Sequence, residues 1–590
     1  MAQKIFATRE DDRAEGGMVE VDVDQVVLVR GAAQVVGEAA ASGLKKTTVE
    51  VAVAYDGRCV TDGTPSDELR ASTSELLSRG ILAARAGVGF PAPVHLERFA
   101  SPGRLCVTDE PRLAGVGGAG MMALVVPAAS LVQALARGKV VVRLPVSVQV
   151  TLTGRLRPFV CPRDVALELV RRGLPDIVRK VEEAYAAPVV VEFTGPSARS
   201  LSVGERSVLA GIAPQVGAAA AVFVSDERTE VFLRDQRRSK AYRALSPDAG
   251  APSEEVLAVD LGAVDPLLLD EEGRVRAVRD LAGQPVTQAL LGGDSGATLR
   301  DLLAVAALLK SKRVPSRLDF LLAVPSRQML EILAQQGALT DLVATGARMV
   351  EPDARLVAGE LYSLPRVGLS LRTSDPEPRP LGLRAPIVAS PETLAFAVAS
   401  GHIGDPRAFK RPVRVTVPRT LPTDDVLVVR KVESRKADRA EPQRPVQRSA
   451  HPASAWRTAQ TLELVESSAL ASRTASNGHG EVAVAVICAT LDEVRDIAER
   501  APAIAHSVRA VLAPFIPSTL VALLSAAGVA ALRFDAAAGK SLKGHKSIAL
   551  PAPSQWPERD ATPVQVGTSK LAITWLAQGP ERAWATGTRA

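Results

Sequence analysis

Short aliphatic runs alternate with amphipathic segments along most of the chain. Val19–Val23, Val26–Val29 and Thr48–Ala54 read as strands, with a small-residue helix at Ala32–Ser42. Ser66–Ser78 reads as a helix, Leu105–Val107 and Val140–Val142 as strands, and Val146–Leu156 as β-rich. A helix at Pro162–Arg172 and a strand at Val189–Gly195 follow, then a buried helix with a polar start within Ser200–Ala213. The stretch Thr287–Val314 combines a strand (Ala289–Leu291), a Gly-rich turn (Gly292–Ala297) and an amphipathic helix closed by Lys310, Lys312 and Arg313. Beyond it the pattern predicts a strand at Phe320–Val324, helices at Arg327–Gly337, Leu339–Gly346 and Ser390–Gly401, and a long loop from Met349 to Pro380. Strand–helix alternation through residues 1–410 predicts α/β layers with mainly parallel sheets. Val482–Cys488, Leu491–Ala501, Ala510–Ala513, Ser518–Gly528 and Val529–Phe534 then alternate as strand and helix, which predicts a separate small α/β domain.

Two polar stretches interrupt this pattern. Residues 243–256 read as a surface excursion, and 431–455 as a solvated linker, with a phosphate-binding arm as the sharper alternative because Lys431, Arg435, Lys436, Arg439, Arg444 and Arg448 fall there. Leu113–Ala136 carries no charge and imitates a membrane span, but four glycines and Pro127 break it. A buried loop and helix is the better reading.

A chain of 590 residues with 47% hydrophobic content needs several cores and has the material for them. Its net charge of +6 permits an anionic partner without demanding one, and 3% aromatic residues are too few for a stacking nucleic-acid surface. Cys59, Cys106, Cys161 and Cys488 lie far apart, which fits a reducing cytoplasm and offers no zinc or iron–sulfur spacing. No secretory signal is readable at the N-terminus. The turn at Gly292–Ala297 is where an α/β protein places chemistry, yet no Gly-Lys-Ser/Thr follows it, so it is not a P-loop.

The order of several segments resembles aconitate hydratase, in the superfamily shared with the isopropylmalate dehydratases. They are VHLERF (from Val94) followed by a Gly-rich loop, EFTGPSARSLSVGERS, LRDLLAVAALLKSKRV, GALTDLVATGAR, GLSLRT and ASPETLAFAVASGHIGDPR. TLPTDDV (Thr420–Val426) and the tail VRAVLAPFIPSTLVALLSAAGVAALRF resemble the approach to that family's swivel domain and the domain itself. The resemblance implies a three-layer α/β/α core of three related subdomains (1–195, 196–315 and 316–410). A strand and charged linker (411–455) would lead to a swivel-like domain at 456–590.

In that family three cysteines hold a [4Fe–4S] cluster whose open iron acts as a Lewis acid. Carried onto this sequence, the first ligand position is Asp294 and the other two are Ala354 and Val357, so the resemblance implies no cluster and no metal. The His-Gln ahead of HLERF is Ala92-Pro93, the His of SDSHT is Arg112, the Asp-His near residue 55 aligns with Gly57-Arg58, and a substrate arginine is Pro376. The swivel-domain serine and arginine align with Phe515 and Ser518. The residues expected to face the old cleft are Asp294, Ser295, Arg112, Arg372 and His95, the last expected to be structural, and none is assigned a catalytic role. The resulting expectation is a cytoplasmic pseudoenzyme that binds a protein partner. The alternatives are a cluster-independent hydro-lyase or isomerase acting on a small carboxylate, and an RNA-binding aconitase-like regulator.

Overall fold

The computed structural model describes residues 1–7, 10–13, 18–59, 73–375, 384–431, 456, 458–474, 483–536, 542, 545–557, 560–578 and 582. In it Met18–Asp22 pairs antiparallel with Glu10–Arg13 and Lys139–Arg143, and the apolar runs from Gln25 onward form a parallel sheet covered on both faces. Val26 and Leu28 enter one core and Val27 another on the opposite side, so Gln25–Leu28 is buried throughout and reads as a continuous run rather than an alternating one. The strand order is Leu82–Ala84, Val51–Tyr55, Gln25–Leu28, Leu105–Thr108, Met122–Val125, all parallel, with Val428–Val429 antiparallel at one edge. The chain starts this sheet in the middle and later crosses to the other side. That reversal leaves a crevice at the carboxyl ends of Gln25–Leu28 and Leu105–Thr108.

The same winding recurs further on. Val286–Gly292 starts in the middle, Asp319–Ala323 and Arg348–Met349 add on one side, and Leu369–Arg372 and Ile387–Ala389 on the other. A hairpin of Leu267–Leu269 and Val275–Ala277 extends the outer edge antiparallel. Between these two units lies a four-stranded parallel sheet of Val146–Thr153, Val189–Thr194, Ala220–Phe223 and Glu255–Asp260. Val190, Ala220 and Val222 of this middle sheet pack in the same core as Val26 and Leu28, so the first two units are fused through their interiors. The fold is mixed α/β with parallel sheets and flanking helices.

Sheet membership divides the core between Arg143 and Val146 and between Asp260 and Leu267. The expected divisions at 195/196 and 315/316 fall inside sheets instead, because each long apolar strand near them pairs with strands on both sides of the division. The expected loop from Met349 to Pro380 holds a helix at Ala354–Val357 and the buried strand Leu369–Arg372, short elements whose periodicity is too brief to register. Part of that loop, residues 376–383, lies outside the described residues, as do residues 66–72 of the expected helix at Ser66–Ser78, residues 432–455 of the linker and Pro376.

The uncharged Leu113–Ala136 segment forms a buried 3-10 helix (Pro111–Ala119), a strand (Met122–Val125) and a helix from Ala128. Its glycines serve close approach: a Cβ on Gly118 would collide with the backbone of Ser207 in the Val203–Ala210 helix. Among the described residues no helix is long and apolar enough to cross a membrane. The C-terminal part closes a seven-stranded barrel, in which Gln460–Glu466 and three further strands joined by the Leu491–Ile504 and Ser518–Ala526 helices run parallel, and three antiparallel strands complete it. Three tryptophans, Trp456, Trp556 and Trp575, fill this barrel with ring centroids 5.1–6.4 Å apart.

Candidate functional site

The two switch points face one another, and the turn Gly292–Ala297 sits between them. Its backbone leaves no room for a Cβ at Gly296, where one would strike the Thr373 backbone, nor at its first two glycines. Gly292 and Gly293 have φ of 104° and 92°, and a Cβ on either would strike the Ala323 carbonyl or the Ser374 hydroxyl. Thr373 locks the turn to the neighbouring strand: its hydroxyl accepts from Gly292 N–H and donates to Gly292 C=O, both at 2.8 Å. The helix that follows is capped reciprocally by Thr298 and Asp301.

Asp294 lies at the head of this turn and Arg112 at the end of the Leu105–Thr108 strand's loop. The guanidinium grips the carboxylate with two donors, Nε to Oδ2 and Nη2 to Oδ1 (2.6 Å), and Nη2 also donates to the Asp375 carbonyl at 3.0 Å. The side chains are 11% and 4% exposed, so this is a buried ion pair spanning two units. Ser295 Oγ donates to Asp294 Oδ1 at 3.2 Å, and its carbonyl accepts from Arg163 Nη2 at 2.9 Å. Burial depresses the pKa of Arg163, although Asp375 and Asp294 support its charge.

Arg112, Asp294 and Ser295 thus form one constellation, and the other two expected cleft residues stand apart from it. Arg372 is buried within its own sheet, donating to Ser370 Oγ, Gln288 Oε1 and the Tyr362 carbonyl. Its pKa falls to about 10 through burial. His95 is fully buried in the first unit, with Nε2 2.8 Å from Gln25 Oε1 and Nδ1 3.3 Å from Tyr55 Oη. Burial, reinforced by Arg238, lowers its pKa to about 3, so the imidazole is neutral and serves packing.

Ala354 opens a short helix capped by the buried Asp353, and its N–H donates to the Gly57 carbonyl at 2.7 Å. Val357 lies against Gly293 on the inner side of the turn. Neither side chain carries a donor atom, and Asp294, the third position at which the resemblance implies a cluster ligand, has its charge met by Arg112. Cys59 reaches this loop, with its N–H on Asp353 and its sulfur accepting from Gly87 N–H at 3.1 Å. Burial pushes its thiol up to about 11, and Cys106, Cys161 and Cys488 are each buried. Among the described residues no three His, Cys, Asp or Glu side chains are grouped to hold a metal ion. This donor set does not fit a [4Fe–4S] cluster.

A second bridge, not anticipated from the sequence, ties the crevice to the barrel. Arg30 follows the Gln25–Leu28 strand, donates from Nε and Nη2 to Glu110 at 3.0 Å, and reaches Glu499 of the barrel with Nη1. Burial opposes its charge, but Glu110 and Glu499 more than offset this and raise its pKa. The Asp109 carboxylate beside it accepts from the backbone N–H groups of Val29, Arg30 and Gly31. The only sequence signal was an Arg-Gly directly after a strand. Arg495 donates to the Pro214 and Gln215 carbonyls, and Ser518 N–H donates to Glu182 at 3.0 Å. Where core and barrel meet, the cavity between Pro111, Pro214, Pro517 and Leu520 measures about 10 Å³, room for a single water at most.

A model of the aconitase family (aconitate hydratase) matches residues 65–268. The chain is 26% identical over 424 residues to 3-isopropylmalate dehydratase large subunit 2 of Archaeoglobus fulgidus, covering 69% of this chain and 99% of that one. The 3-isopropylmalate dehydratase large subunit 1 of Thermotoga maritima is 25% identical over 426 residues, with the same coverage of 69% and 99%. A probable methanogen homoaconitase large subunit of Methanosarcina mazei is 28% identical over 315 residues, covering 52% of this chain and 78% of that one.

Proposed function

The chain belongs to the aconitase and isopropylmalate dehydratase superfamily, and on that premise we propose that it is a cluster-free, non-catalytic member that works by binding a partner protein as a regulatory or scaffold component. The observation that carries this reading is the bidentate Arg112–Asp294 pair at the first ligand position. A cluster needs three soft thiolates, and here one position holds a carboxylate committed to an arginine while Ala354 and Val357 offer only hydrocarbon. Among the described residues there, the charges are paired and no base faces an electrophile.

The relatives' names favour a second reading, a hydro-lyase acting on a small carboxylate. It requires a general base in the crevice, and the groups at the crevice are paired arginines and carboxylates. An RNA-regulator reading is weaker, since three of the four tryptophans are spent inside the barrel. Anaerobic purification followed by iron and acid-labile sulfide analysis, with turnover assays on isopropylmalate and aconitate, tests the proposal. Colourless, iron-free protein without turnover is expected, together with a specific partner in a pull-down. Stoichiometric iron and sulfide, or turnover by the iron-free protein, overturns it.

A further inference from the structure

We infer that the amino end of the first sheet is a binding site for a small polyphosphate anion. A cavity of about 770 Å³ opens there, at the opposite edge of the sheet from the crevice, and its size is that of a small-ligand pocket. Gln25, Val51 and Leu82, at the starts of three strands, form its floor. Five cationic side chains line it, Arg98, Arg237, Arg238, Lys240 and Arg430, against the single carboxylate of Glu50. Glu50 is already engaged by Arg104 at 3.0 Å.

The cations are poorly compensated. Among the described residues the side chains of Arg237 and Lys240 have no hydrogen-bond or ion-pair partner. Arg430 lies over the Phe99 ring at 5.5 Å, and Arg98 reaches the Pro422 carbonyl at 3.1 Å and Asp425 only at 3.9 Å. Arg238 donates to the Glu97 and Ala100 carbonyls at 3.2 and 2.7 Å, so its hydrogen bonds are satisfied while its charge is not. Burial, with Arg98 and Arg430 adding to it, lowers its pKa to about 10. Arg237 also holds a left-handed backbone, φ 56°, a conformation that costs energy in a non-glycine residue. Guanidinium forks converging on one cavity suit phosphate oxygens, and an excess of cations suits a ligand with several phosphate charges. The one ring in the wall, Phe99, is itself buried, so the site offers no platform for stacking bases and favours a small anion over an RNA strand.

Isothermal titration calorimetry of the full chain with inorganic tripolyphosphate tests this. Saturable one-site binding that weakens with added salt is expected. Arg237→Ala, Lys240→Ala and Arg430→Ala, all at exposed side chains, should each weaken it by about tenfold, the loss of one charge-assisted contact. Arg313→Ala, at an exposed arginine elsewhere, should leave it unchanged, and thermal melts establish that each variant is folded. ATP competing with tripolyphosphate supports the site and identifies a nucleotide as its source, whereas tripolyphosphate binding that ATP does not displace supports a free polyphosphate. No saturable binding, equal losses in the Arg313 variant, or tighter retention of an RNA oligonucleotide than of tripolyphosphate overturns the inference.

Discussion

Arg112 and Asp294 are 182 residues apart in the chain and meet as a bidentate ion pair between the switch points of two separately wound sheets. Removing one partner leaves the other charge buried and uncompensated. Asp294→Ala should therefore destabilise the protein by about 3–5 kcal/mol, the typical cost of breaking a buried pair. Arg112→Ala combined with Asp294→Ala should recover much of that loss, a coupling measurable in a double-mutant cycle of chemical denaturation. Additive losses would show that the two side chains act independently.

Metal removal follows from the donor set. On the cluster-free reading proposed above, prolonged treatment with a strong chelator, with and without a mild oxidant, should leave the thermal midpoint unchanged. A fall in the midpoint, reversed by iron and sulfide, would contradict the cluster-free reading.

A buried acid group sets the pH response. Burial pushes Asp164 up to about 7, Asp301 to about 6 and Glu392 to about 8. The folded protein thus keeps protons that the unfolded chain has released, and stability falls as pH rises through this range. His95 acts oppositely, but only below its ordinary value of about 6.5, where the unfolded chain takes up a proton that the folded chain refuses. Between pH 6.5 and 8 (limits set by about 6.5 for free histidine and about 8 for Glu392) the carboxyls act alone, and denaturation midpoints should decline. Glu392→Gln should flatten that decline, leaving a higher midpoint than the parent protein at the alkaline end.

The barrel is fastened to the core by Glu499 on Arg30 and by Arg495 on the Pro214 and Gln215 carbonyls. Glu499→Arg places two guanidiniums against each other and should weaken docking by about 2 kcal/mol or more. The expected readout is an increased radius of gyration in small-angle scattering with unchanged tryptophan fluorescence, since Trp456, Trp556 and Trp575 report only on the barrel interior. Altered fluorescence would mean that the barrel itself had unfolded.

Much of this architecture was legible in the sequence. The strand–turn–helix at Thr287–Val314 was readable because its apolar periods are long and a capping box starts the helix. The segment order carried the family resemblance and the placement of Asp294, Ala354 and Val357. Strand Leu369–Arg372 was lost inside an expected loop because four buried residues carry no periodicity of their own. The subdomain divisions were displaced because pairing is non-local: Val146–Thr153 gives no sign that it pairs with both Val189–Thr194 and Glu255–Asp260. Of the five cleft candidates, Arg112, Asp294 and Ser295 came together, while Arg372 and His95 turned into their own cores. A conserved-looking string such as HLERF reports a buried environment as readily as a site. Arg30 was missed altogether, because its partners Glu110 and Glu499 sit 80 and 469 residues away.

The crowded turn at Gly292 and Gly293 has a consequence for how such chains change over time. Ala323 and Ser374 dictate these glycines by sheer crowding, whatever the residue beside them contributes. Selection for folding alone can preserve the glycines while position 294, a cluster-ligand position on the resemblance, is free to carry a carboxylate. The motif therefore divides into letters owed to architecture and one letter owed to reactivity. Only the latter bears on reactivity, and it can change without disturbing the turn.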